Sequence, residues 1–570
     1  MAQRPADIVS PTTSQIIPPR TLADEGRRRS AMESSSGLKR STSAFAFVIA
    51  WICAGAASTS SYAEGPSQAQ LDRSAVATDS WLMTNKSYDG HRYVNLKQID
   101  ANNVAKLKEV CSLDTGVDAP AQSSPLLHEG RIYFSVGQTT VAVDAATCKE
   151  IWRHEWTVRS KILSNPNRGV AIKDGRLVRG TSDGYLIAID MATGKLLWEH
   201  QIASYDKSQY LSMPAIIVND VVVYGTAGAD WGSRGWIGAF NLSNGEELWR
   251  FYPVPKPGEP GADTWTPPEA LEHGGGSFWT PVSVDRDKDL VYVAVGNPAP
   301  DFYGDVRKGD NLYTNSLVAI DLKTGKPNWL RQFVPHDTHD WDLTQASPLL
   351  TANSKGKVRN LVVASGKDGR LRIVDRDTHT VLYDLAISKQ ENGSKPLTSE
   401  GFHVCPGLLG GQEWSSTAYD PARNMTISPM VDWCGVASHV PTPPEYAVGV
   451  HYYGGKYDQD PMSEARGVLA AVDVSTGKLR WKMEAPAPLL ANVTATSGGV
   501  IFAGDLKGTL YAVRSDDGKV LLSHSIGASA GGGVFTYELG GKQYVAALSG
   551  PVSGFFGGAG KTKLTVMALP

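Results

Sequence analysis

Cysteine is scarce in this chain: five stand in 570 residues. None forms a Cys-x-x-Cys pair, which argues against a zinc ribbon, and no Cys-x-x-Cys-His run is present to carry covalent haem. Charge of either sign in excess is also missing, since 55 basic residues face 58 acidic ones. A near-neutral surface excludes the electrostatic footprint of a nucleic-acid binder and leaves any membrane association peripheral at most. The apolar run at 45–57 is too short to read as a membrane span. The 44 residues ahead of it are polar, rich in Ser and Arg, and carry no apolar period.

That short run has another reading. Lys39 and Arg40 precede it and Ser-Tyr-Ala-Glu follows at 61–64. A basic start, a brief apolar core and a small-residue site after Ala63 describe a secretory signal. The expected layout is therefore a signal with an N-terminal extension over 1–63 (translation starting at Met32), a linker over 64–78, and a folded body over 79–570, exported to the periplasm. Four cysteines remain in the exported chain. Sequence proximity favours Cys111–Cys148 and Cys405–Cys434 among the three possible disulfide pairings.

What is plentiful is glycine, proline and tryptophan, at 58, 33 and 15 residues, a composition of short strands and many turns. A pattern of small-x-Asp-x-x-Thr-Gly-x-x-x-Trp recurs from residues 142, 188, 239, 319, 373, 471 and 512. AIDMATGKLLW at 188–198 and AVDVSTGKLRW at 471–481 are clear copies. Each copy reads strand, tight turn, strand, and most intervals match the length of a four-stranded sheet. Sheets repeated at that spacing pack face to face around an axis and protect one another's edges, with the tryptophans filling the space between neighbours. The fold class is all-β: a β-propeller of four-stranded antiparallel blades. Trp81–Leu107 and the strands after Gly541 are expected to close the ring.

One loop stands out. VGNPAPDFYGDVRKGDNLYTN at 295–315 joins two apolar strands, and Asn297 and Asp310 offer hard oxygens at its two ends. An amide and a carboxylate suit Ca²⁺ or a similar cation, and a carboxylate beside such an ion can act as a base. Read alone, Asn-Pro and Gly-Asp-Asn are equally ordinary turn chemistry.

With the repeat, the stretches GTAGADWGSRG at 225–235, GGGSFW at 274–279, VGNPAP, KGDNLYTNSLVAID at 308–321 and PHDTHDWD at 335–342 resemble the PQQ-dependent alcohol dehydrogenases. The resemblance runs over nearly all of 79–570. It implies an eight-bladed β-propeller, with PQQ and a Ca²⁺ or lanthanide ion on its axis. It implies oxidation of an alcohol to the carbonyl, with electrons leaving to a separate cytochrome c or a quinone. Residue by residue it implies metal ligation by Asp230, Asn297 and Asp310. Asp310 would also be the base, and Lys367 would stabilise the developing oxyanion at the quinone. Cofactor contacts would come from Gln122, Arg168, Ser277, Trp279, Gly228 and Ala229.

The departures are as plain. Asp230 stands where the family carries Glu, Gln122 where it carries Glu, and Glu413 where it carries Asn. Leu490 and Pro551 stand at places where many members carry tryptophan. The family's adjacent cysteine pair falls on Ile162 and Leu163, expected to form one face of the cofactor slot. Two further readings stay open: a propeller without catalysis that serves as an envelope scaffold, and a quinoprotein acting on a sugar, polyol or polymer.

Overall fold

The computed structural model of the chain describes residues 65–570; the signal expected over 1–63 lies outside them. Strands dominate, and they fall into seven four-stranded sheets, one five-stranded sheet and one three-stranded sheet. A typical sheet takes consecutive strands in order, as do Ile216–Val218, Val221–Gly225, Ile237–Asn241 and Glu247–Phe251. All neighbours in it are antiparallel. The first strand is buried along its length and the fourth is the most exposed, so first strands line the axis and fourth strands face solvent. The expected all-β propeller of four-stranded antiparallel sheets is what the chain builds. Among the described residues, eight sheets carry the four-strand meander.

The repeated motif explains how sheets dock. Its Asp folds the turn: Asp190 Oδ1 accepts from the Ala192 and Thr193 amides and from the Thr193 hydroxyl, an Asx-type turn. Its Gly then takes positive φ, and its Trp reaches over the next sheet. Trp152, Trp198, Trp249 and Trp481 donate their indole N–H to the carbonyls of Met191, Leu242, Leu322 and Ser515, each just beyond a third strand of the following sheet. An indole fully buried this way removes about 200 Å² from water, an upper estimate of about 5 kcal/mol. At Gly325, φ is 70° and an added Cβ would lie 2.5 Å from the Trp249 ring. Gly325→Val is therefore expected to cost about 2–4 kcal/mol. A lowered urea midpoint with unchanged turnover per folded molecule would check this. One copy has His379 in place of the glycine, and its ring stacks on Trp329 at 4.5 Å and 18°.

The ring closes differently in detail from the expectation. The strand that completes the last sheet is Lys108–Asp114, paired antiparallel with Lys563–Ala568. Trp81–Leu107 instead packs across neighbouring sheets: Trp81 is fully buried and bridges Leu127, and Tyr93–Val94 adds a parallel fifth strand beside Thr494–Thr496. Residues 64–78, expected as a linker, hold a helix from 68 to 72. Ser67 and Gln70 form its capping box and Leu71 is buried. Both disulfides form as paired above, Cys111–Cys148 and Cys405–Cys434.

The wide interval before the copy at 471 is an insertion. Gly435–His439 and Gly455–Gln459 leave the sheet between its second and third strands and pair with Phe402–Val404 as a separate three-stranded sheet.

In an antiparallel meander, the link into the first strand and the link between the second and third strands lie at one end. The Asp-x-x-Thr-Gly turns lie at the other. The residues that the resemblance marks fall on links of the first kind, so they share an end.

Candidate active site

At that end a cavity is lined by residues from several sheets and from the insertion. Gln122, Arg168, Gly228, Asp230, Ser277, Trp279 and Lys367 all line it, as the sequence led one to expect. Ala229 lies directly behind Gly228 in a short 3-10 turn and is buried. Gly228 takes φ 123°, and a Cβ there would meet the Ser208 carbonyl at 2.1 Å, so only glycine fits this close approach.

Beneath the cavity lies a cluster of acids. Oxygens of Asp230, Asp301 and Asp340 all come within 4.8 Å of one another. Asp301 is fully buried, and its Oδ1 accepts from Asn297 Nδ2 at 2.9 Å. Lys367 Nζ bridges Asp340 and Asp342 at 2.9 Å each. Asp342 Oδ1 accepts the Asn297 amide at 2.9 Å. That approach needs Gly296 and Gly366, where a Cβ would lie 2.3 Å from Asp342 Oδ1 and 2.2 Å from its carbonyl.

Asp310 is not part of this cluster. It is exposed and does not line the cavity, so the structure does not bring this expected base and ligand to the acids inside. The reason is local. Arg307 and Asn311 are fully buried; the Arg307 guanidinium donates to Asn311 Oδ1 and to the Pro300 carbonyl, while Asn311 Nδ2 donates back to the Arg307 carbonyl. With 307 and 311 facing inward, Gly309 and Asp310 are turned to the surface, where the Asp310 carbonyl accepts from Gln332 Nε2. Ile162 is likewise exposed rather than part of the slot, and Ser164 and Pro166 line the cavity in that segment. Leu490 is buried in the core behind it.

The electrostatics ask for a cation. Asp230, Asp301, Asp340, Asp342 and Glu413 outnumber the cations beside them among the described residues, Lys367, Arg168 and Arg307. Burial pushes Asp230 up to about 6 and Glu413 up to about 7, with Asp342 adding to both. Burial likewise holds Asp301 and Asp340 well above the carboxylate range. Burial opposes the charge on Lys367, but Asp340 and Asp342 outweigh it and keep the ammonium charged. A multivalent cation among these oxygens reverses the carboxylate shifts.

The donor set fits one. Asn297 Oδ1, Asp301 Oδ2 and Asp340 Oδ1 are buried and have no partner. Oxygens on opposite sides of a Ca²⁺-sized ion stand about 4.8 Å apart. The cavity also fits a flat anion. Arg168 lies 4.7 Å from the Trp279 ring centroid and 5.3 Å from that of Trp414, and its buried Nε is unpartnered, as are Gln122 Oε1 and Glu413 Oε1. Indole faces with a guanidinium between them suit a planar, carboxylate-bearing ring.

Fold and site together define a quinoprotein dehydrogenase of the propeller type, and comparison with known proteins agrees. Residues 81–389 match the family described as the β-propeller domain of glucose, ethanol and alcohol dehydrogenases, and the chain belongs to the PQQ-dependent alcohol dehydrogenase family. Residues 465–550 match a second description, outer membrane protein assembly factor BamB. The chain is 30% identical to quinohemoprotein alcohol dehydrogenase ADH IIB of Pseudomonas putida, over 86% of this chain and 76% of that one. It is 29% identical to quinoprotein alcohol dehydrogenase PedH of Pseudomonas putida, over 81% and 84%. Among solved structures, a europium-containing methanol dehydrogenase superposes with a TM-score of 0.80 at 26% identity, over 88% of this chain and 100% of that one.

Proposed function

We propose that this protein oxidises an alcohol to the corresponding carbonyl compound, with PQQ in the cavity over a hard cation held by Asp230, Asn297 and Asp301. One observation carries the reading: unpartnered carboxylate and amide oxygens from separate sheets converge, buried, under a cavity walled by Trp279 and Arg168. When bound, PQQ supplies a two-electron acceptor and the cation supplies Lewis acidity.

The chain's own residues do the rest. Asp340 lines the cavity within the acid cluster and keeps an oxygen free of protein partners, so it takes the proton of the substrate hydroxyl. Lys367 holds Asp340 in place and favours its ionised form. Arg168 and Gln122 anchor the cofactor's polar rim, and Trp279 fixes its plane. The alcohol carbon gives up a hydride equivalent, so two electrons and two protons leave in each turnover. With no covalent-haem motif in the sequence, the electrons pass to a separate cytochrome c or quinone. The signal motif at 39–63 places the reaction in the periplasm.

Four aspartates against one lysine favour a higher-charge ion. The europium-containing relative supports the same preference. Purified protein given PQQ and La³⁺ or Ca²⁺ is expected to reduce an artificial dye with an alcohol, and to bind La³⁺ on the order of tenfold or more tightly, because ligand charge count sets affinity. Equal affinities in a tryptophan-fluorescence titration would refute the charge argument. Failure to bind PQQ with either ion would favour a scaffold, and a substrate panel would reveal a preference for sugars or polyols.

A further inference from the structure

The acids and the lysine come from the propeller sheets, but part of the wall beside them does not. Tyr453 and Leu408 line the same cavity; Tyr453 belongs to the insertion, and Leu408 lies just after Phe402–Val404, the strand that pairs with it, beside Cys405–Cys434.

This insertion is seated directly on the acid cluster. The Tyr452 amide donates to the Asp230 carbonyl at 2.7 Å, and the Phe302 amide donates to the Tyr453 carbonyl at 2.7 Å. Tyr453 and Leu408 pack against one apolar group that includes Phe302 and Trp341, the residues that follow Asp301 and Asp340. The Tyr453 ring is held flat against His451 at 4.5 Å and 12°, and His451 lies 4.5 Å from Trp231, which follows Asp230. Gly454 makes the approach possible: it takes φ 67°, and a Cβ there would lie 2.6 Å from Tyr303 Cβ. Tyr453 is thus a fixed ring at the edge of the reaction chamber, and its hydroxyl has no side-chain or backbone partner among the described residues.

Resting on the alcohol-oxidation reading above, we propose that Tyr453 is a specificity-determining residue: its ring, with Leu408 as a second wall, limits the bulk of the alcohol that reaches Asp340. Catalysis and substrate choice then reside on different segments of the chain, the acids on the propeller links and the size limit on the three-stranded sheet and its connections.

The test uses the full chain reconstituted with PQQ and La³⁺, with ethanol and benzyl alcohol as probes. Tyr453→Ala is expected to raise the ratio of kcat/KM for benzyl alcohol over ethanol by about tenfold or more, the scale on which pocket size discriminates. Tyr453→Phe keeps the ring and is expected to leave the ratio within about twofold of the parent. Leu408→Ala is expected to move it in the same direction as Tyr453→Ala, and carries the test should Tyr453→Ala fail to fold. PQQ affinity, read by absorbance titration, is expected to stay constant. An unchanged ratio in the alanine variants overturns the proposal, as does an equal shift in Tyr453→Phe. If the parent protein binds PQQ and oxidises neither alcohol, the oxidation reading falls first, and this one with it.

Discussion

Asp340→Asn is expected to lower kcat by about 10²–10⁴-fold, the contribution of a positioned general base, while PQQ stays bound. The amide keeps the size of the carboxylate and cannot accept the proton. Asp340 is 2% exposed, its Oδ2 is held by Lys367, and its Oδ1 is without a partner, so a substrate hydroxyl arriving in the cavity meets that free oxygen. Asp310→Asn is the matched control. Its side chain is on the surface, and turnover is expected to stay within about twofold of the parent, as for surface substitutions generally. Steady-state dye reduction, alongside PQQ titration by absorbance, checks both. Loss of activity in Asp310→Asn with Asp340→Asn unaffected would reverse the assignment of the base.

The second large effect is on cofactor binding. Arg168→Ala is expected to weaken PQQ by about 10²–10³-fold, because truncating one partner of a buried charge pair leaves the other unpaired. Burial lowers Arg168 only to about 10, so the guanidinium is cationic at neutral pH. It is anchored to Ser212 Oγ at 2.8 Å, which leaves Nε free for the cofactor. Arg168→Lys keeps the charge and loses the planar fork, so it should recover part of the affinity. A dissociation constant unchanged in Arg168→Ala would remove this residue from the cofactor site.

The fold was legible because its repeat is written in residues that have one structural use. Asp190, Thr193 and Gly194 can make their turn from local hydrogen bonds alone, and Trp198 only has to find the next sheet. The site was legible where a family motif names one position, as at Arg168, Asp230, Trp279 and Lys367. It was misread at Asp310 because the loop at 295–315 holds several acids, and sequence alone cannot say which faces in. That is decided by the Arg307–Asn311 clamp. Asp301, four residues after Asn297, and the alternating Asp340 and Asp342 of PHDTHDWD were the available signals. Residues two apart point to the same side of an extended segment, so a shared role for Asp340 and Asp342 could have been read there. The walls at Tyr453 and Leu408 left no such trace, since the segments that carry them have no repeat to register them.

The seam of the ring joins a strand near residue 110 to one near residue 565. Contacts between segments so distant in the chain are slow to form, and this pairing cannot exist until the later of the two has been made. The circle therefore completes only after Lys563–Ala568 has been made, whatever order the other sheets follow. Cys111, on the early strand of that seam, is bonded to Cys148 in the first repeat. The disulfide thus ties the strand that awaits the seam to the neighbouring sheet, so the open place in the circle is held ready for its last occupant.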